Sequence, residues 1–154
     1  MKITKANFEK AKDDFFSARN GFDSAKKALD AYRVCRGSQL GATMYHLSIT
    51  VKFMLKILCV KYNVDADNDD FALLFAKTRR FLTKDILAVE ILDMETELLC
   101  WHHYNSASIK TADEAAGVAR IFENYFCEVI RKFMCETKKA IEWPEDGFDN
   151  SGIF

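Results

Sequence analysis

Phe8, Ala11, Phe15, Ala18, Phe22, Ala25, Leu29 and Tyr32 recur at alternating intervals of three and four residues. That interval returns side chains to one face of an α-helix, so the spacing predicts a helix from about Thr4 to Arg36. Asn20-Gly21 ordinarily marks a turn. The stripe nevertheless keeps its phase across Gly21, so the helix is expected to continue, straight or slightly bent. Arg33 and Arg36 suit the negative C-terminal end of this helix, and Gly37 suits its stop.

A second helix is expected from about Ser38 to Asn63. Leu40, Met44, Leu47, Val51, Leu55, Leu58 and Tyr62 form one apolar stripe, and Ile49, Phe53, Ile57 and Val60 form another. A helix apolar on most sides belongs inside a bundle or a dimer. Ser48, Lys52 and Lys56, four apart, share its one narrow polar face. An acidic turn, Asp65 to Asp70, then leads to a short helix ending near Phe81.

Leu87, Ile91, Met94, Leu98 and Trp101 carry a third long stripe. Its helix is expected to start at Thr83 as N-cap, with Leu82 and Leu87 as a hydrophobic staple, and to end near Tyr104. Thr111-Ala112-Asp113-Glu114 matches a capping box and opens a fourth long helix. Its expected core face is Ala115, Val118, Phe122, Tyr125, Val129 and Phe133, and Trp143-Pro144 ends it. Long helices with short connections imply an all-α fold: an up-and-down antiparallel bundle of four long helices plus one short helix. Residues 1–141 form this one domain, and 142–154 form an acidic, flexible tail.

Composition agrees with that picture. The chain has 154 residues, 49% hydrophobic and 29% charged, with one proline and six glycines. So few chain-breakers favour helices over a many-turned β fold, and thirteen phenylalanines point to an aromatic core. The net charge of -1 supplies no global basic field for nucleic acid. Five cysteines without a C-x-x-C pair argue against a disulfide scaffold or a zinc ribbon. Leu40 to Val60 is apolar enough to suggest a membrane span, but Lys52 and Lys56 would each cost roughly 2.5–3.5 kcal/mol at a bilayer centre. A buried helix, no membrane association and a reducing cytoplasm are the expectation.

Candidate chemistry is sparse. Asp65, Asp67 and Asp69 imitate the start of a calcium loop, but Asp70 and Ala76 stand where glycine and glutamate are needed. The carboxylates instead suit a helix N-terminus. His102 and His103, as helix neighbours, point about 100° apart and are poorly placed to share a metal; with Tyr104 they suit polar and stacking contacts. His46 and Thr50, four apart, read as a hydrogen-bonded core histidine. Lys52 and Lys56 either snorkel to water or hold a phosphate. Lys77, Arg79, Arg80 and Lys84 read as a solvated basic face. The cysteines fall on apolar stripes beside no evident base, and neither a glycine-rich phosphate loop nor a nucleophile elbow is present. No metal or cofactor is expected, and no catalytic motif is complete.

The run from His46 to Val60 resembles the central helix of HEPN domains. Lys52, Leu55, Lys56 and Leu58 match its Lys and Leu-Lys pattern, whereas Val51 stands where the family often has glutamate and Ser48 where it often has glutamine. Trp101-His-His-Tyr104 falls where the family tends to show an aromatic or basic residue and a tyrosine. A capped final helix with alanines, Thr111 to Ala119, follows as in the family, and the order of elements agrees over about residues 4–141. The resemblance implies a bundle of four or five helices that often pairs into a homodimer. Members act as metal-independent ribonucleases, bind nucleotides, or accompany a small nucleotidyltransferase in toxin–antitoxin and related systems. The ribonucleases need an arginine with a histidine a few residues downstream. Here Arg36 lies ten positions before His46, across a helix break, and Arg80 is farther still from His102.

The resulting expectation is a non-catalytic, HEPN-like, homodimeric protein that binds a nucleotide, an RNA end or a nucleotidyltransferase partner. Lys52 and Lys56 would hold phosphate, and His102, His103 and Tyr104 would add polar and stacking contacts. The alternatives are an interaction module without a small ligand, using an apolar surface of the second helix, and a divergent ribonuclease with His46 or His102 as base.

Overall fold

The computed structural model describes residues 3–35, 39–65, 70–104 and 109–142. Gly37, Asp67, Asp69 and the tail beyond Glu142 lie outside the described residues, so the expectations placed on them do too. Among the described residues there is no strand, and the fold is an all-α bundle.

Helix α1 spans Lys5–Cys35 and runs unbroken through Gly21. Its stripe is the buried one: Phe8, Ala11, Phe15, Ala18, Ala25 and Leu29 all face the core. Helix α2 spans Gln39–Lys61. Asp14 of α1 meets Lys56 of α2, and the carbonyl of Ala18 meets Thr50, so one helix retreats as the other advances and the pair is antiparallel. Asn63 ends α2 in the left-handed region, at φ 56°. Its N–H donates to the Val60 carbonyl at 3.2 Å, and that of Val64 to the Cys59 carbonyl at 2.8 Å. These are the two bonds of a Schellman stop, made by asparagine in place of the usual glycine.

Between residues 40 and 62, α2 exposes no side chain outright. By length and composition, Leu40–Lys61 is able to cross a membrane, yet 61% of its most apolar window is buried inside the bundle. Its buried hydroxyls bond locally: Ser48 Oγ donates to the Tyr45 carbonyl at 2.6 Å, and Thr50 Oγ1 to the His46 carbonyl at 3.0 Å.

Helix α3 spans Phe71–Leu82, with the Asp70 carboxylate capping it through the N–H of Leu73 at 3.1 Å. The third long helix expected from Thr83 is divided. Thr83 closes α3 instead of opening a helix: its N–H donates to the Arg79 carbonyl and its hydroxyl to that of Arg80. Asp85 then caps a 3₁₀ turn, Ile86–Ala88, through the N–H of Leu87 at 3.0 Å. Two further helices follow, α4 at Val89–Asp93 and α5 at Glu95–Tyr104, separated by Met94. The expected staple does not form, because Leu82 is buried while Leu87 is 45% exposed.

Thr111 caps the fourth helix as expected, although the reciprocal bond from its own N–H to the Glu114 carboxylate is not among the hydrogen bonds of the described residues. Its hydroxyl oxygen accepts the N–H of Glu114 at 3.1 Å and lies 3.2 Å from that residue's carboxylate. Helix α6, Ala112–Tyr125, passes without a break through a π-helical turn, Phe126–Arg131, into α7, Lys132–Glu142. A π turn holds one residue more than an α turn. The core face accordingly slips by one: Val129 and Phe133, expected inside, are half-buried, and Phe126, Ile130 and Met134 are buried instead. Phe126 stacks on Phe15 with ring centroids 4.9 Å apart and meets Phe22 edge-on at 5.3 Å, joining this rod to α1. Each fully buried Phe or Leu contributes about 1.5–3 kcal/mol by leaving water.

Candidate functional site

The lysine pair is divided by Phe53. Both ammoniums lie against that ring, Lys52 at 5.9 Å and Lys56 at 5.5 Å from its centroid, within cation–π range. Beyond the ring their surroundings differ. Lys56 Nζ is 3.7 Å from Asp14 Oδ1, and the two side chains are only 12% and 10% exposed. Its charge is met inside the protein. Lys52 is half-buried, and its charge acts on His102 of α5.

Helix α5 packs on α2 and carries the adjacent histidines on its last turn. The His102 ring stacks parallel on Tyr45 of α2, with centroids 5.9 Å apart and 5° between planes. Phe71, the first residue of α3, meets it edge-on at 5.3 Å, and His103 at 5.0 Å. His103 itself is exposed. Burial holds the His102 imidazole below its ordinary value of 6.5, and the charges of Lys52 and His103 push in the same direction. Its Nδ1 is buried and has no hydrogen-bond partner among the described residues. An imidazolium must donate from both nitrogens, so this pocket favours the neutral ring.

The structure therefore pairs His102 with His103, sets Lys52 where its charge acts on His102, and directs Lys56 to a different neighbour. Tyr104 ends α5, but its side chain is outside the described residues. Sequence reasoning missed three contributors: Tyr45, Phe71 and Asp14. Tyr45 stands seven positions before Lys52, two turns of one helical face, which was a usable signal. Phe71 and Asp14 arrive through tertiary packing and had none.

The other candidates resolve as structural. His46 is half-buried, and Thr50 bonds its backbone carbonyl, not its ring. The basic residues of α3 are engaged one by one. Arg79 Nη2 reaches both carboxylate oxygens of Glu95 at 2.6 Å, Lys77 donates to the Asp65 carbonyl at 2.7 Å, and Arg80 lies 4.6 Å over Phe81. Cys59 is buried, which raises its thiol and makes it inert. Cys100 and Cys127, expected on apolar stripes, are exposed. Among the described residues no three of His, Cys, Asp and Glu converge as a metal would require.

No family model, no curated protein and no solved structure matches this chain.

Proposed function

We propose that this is a non-catalytic, HEPN-like helical protein that binds a phosphate-bearing ligand, a nucleotide or an RNA end, at the Lys52–His102–His103 cluster. One observation carries the reading: His102 of α5, with adjacent His103 beside it, comes against the Tyr45 ring of α2, and the charge of Lys52, on the same helix as Tyr45, acts on His102. Lys52 and His103 supply the polar grip, and the rings supply a flat apolar wall. Lys56, neutralised by Asp14, belongs to the support of α2 and not to the ligand.

Titration with ATP and with a short single-stranded RNA, at low and moderate salt, tests this. Binding is expected to strengthen as salt falls, and Lys52→Ala to weaken it about tenfold, one charge-assisted contact's worth. Equal affinity of Lys52→Ala and wild type removes the proposal.

The same resemblance proposes a homodimer and a nucleotidyltransferase partner. Exposed Ile86, Leu87 and Val89 support a protein interface. The surface of such an interface is this segment, since α2 is enclosed by its own bundle. Light scattering at micromolar concentration measures the assembly, and a monomer would refute the dimer.

A second reading follows from the same cluster. A histidine kept neutral, a second histidine and a lysine are the base, acid and charge stabiliser that metal-independent RNA cleavage needs. Incubation with RNA decides between the two. Cleavage lost in His102→Ala favours the enzyme, and no cleavage by the wild type ends that reading.

A further inference from the structure

A groove of about 270 Å³ opens between α1, α2 and α6, away from the histidine cluster. Its origin is local. Where Phe22 meets Phe126, aromatic rings fill the seam between α1 and the α6–α7 rod. Farther along, α6 turns the small side chains of Ala116 and Ala119 to the seam, with Arg120 and Glu123 beside them, and a groove remains. Buried Ala25 and Leu29 of α1 and Leu47 of α2 make the floor mostly apolar, with buried Thr43 of α2 set among them.

The rim is charged. Lys26 and Arg120 stand on it, with Glu123 one turn beyond Arg120. All three are exposed, and none has a side-chain hydrogen bond or ion pair among the described residues. The rim thus carries two cations against one anion, above a floor that is mostly apolar. Such a groove matches a molecule with an apolar chain and one anionic end. The chain replaces water on the floor, and the anion bridges Lys26 and Arg120. The volume lies just below the range typical of drug-sized ligands and suits a small molecule with a short chain.

We propose that this groove binds a small amphiphilic anion, of the class of medium-chain carboxylates, with its head between Lys26 and Arg120 and its chain along Ala116, Ala119 and Leu29.

The test is amide-resolved NMR of the full chain titrated with octanoate, octanol and octylamine, which share a chain and differ in charge. Octanoate is expected to shift the amides of Leu29, Ala116 and Ala119 saturably, with affinity about tenfold above octanol and above octylamine. Lys26→Gln with Arg120→Gln should bring octanoate down to the level of octanol. Ala119→Leu, filling the groove at a half-buried position, should abolish both. Octanoate binding no better than octanol, failure to saturate at the seam, or unchanged affinity in the Lys26/Arg120 variant overturns the proposal. Those two residues are exposed, so that variant folds and decides the matter even if Ala119→Leu does not.

Discussion

The hydroxyl oxygen of Thr50 occupies the space where Gly21 would carry a Cβ. An added methyl there would clash with Thr50 Oγ1 and come within 3.3 Å of Thr50 Cβ and 3.4 Å of the His46 carbonyl oxygen. Gly21 is therefore fixed by the closeness of the α1–α2 crossing. Gly21→Ala gains about 1 kcal/mol of helix propensity and loses about 1–3 kcal/mol to overpacking. Net destabilisation is expected in urea unfolding. Thr50→Ala in the same background should recover part of it, because the obstructing oxygen is gone. A more stable Gly21→Ala protein would mean that the crossing is looser than described.

Asp14 and Lys56 are each about nine-tenths buried. Removing one partner of such a pair leaves the other charge desolvated. Lys56→Met should cost about 3–5 kcal/mol, and the double change Asp14→Leu, Lys56→Met should restore most of that. If each single change costs less than about 1 kcal/mol, water reaches the pair. Affinity for ATP should follow Lys52, not Lys56, which separates support from recognition.

Much of this architecture was legible in the chain. The 3–4 spacing of α1, the enclosed character of α2 and the N-cap at Thr111 all rest on short-range sequence signals, and each is found. The departures have local causes that periodicity does not encode. Thr83 and Asp85 are both competent caps: Thr83 ends α3, Asp85 opens the 3₁₀ turn that follows, and a further break falls at Met94. The π turn slipped the α6–α7 face by one residue while composition stayed ordinary. At the candidate site, the residue types were visible but their pairing was not. Asp14 draws Lys56 aside from another helix, and Tyr45 and Phe71 enclose His102 through packing alone.

The pH dependence of stability should carry a signature of His102. Its folded-state affinity for a proton is lowered, so the unfolded chain binds that proton first as pH falls. Stability is therefore level above the ordinary histidine value of 6.5 and declines below it, until the folded form is protonated too. His102→Phe should flatten this decline between pH 7 and pH 5 relative to wild type, measured by thermal unfolding at both values. Parallel pH profiles would show that the ring is solvated and unperturbed.

The π turn at Phe126–Arg131 predicts tolerance to a deletion. Glu128 is exposed. Removing it returns the segment to α-helical pitch and leaves Ile130 and Met134 facing the core. The variant should unfold cooperatively, with a stability change of no more than about 1–3 kcal/mol, the usual range for a single alteration that keeps the core face. A molten or unfolded product would mean that the widened turn is required by Phe126 and its stack on Phe15.

Helix α1 packs chiefly against α2, its immediate successor in the chain. Bringing neighbours together closes only a short loop, so little chain entropy is lost before burial begins. Helical proteins dominated by such nearby pairings refold on the microsecond-to-millisecond scale. Speed of assembly, and with it a brief exposure of the phenylalanine-rich interior to other chains, is thus a property of the order in which the helices are strung.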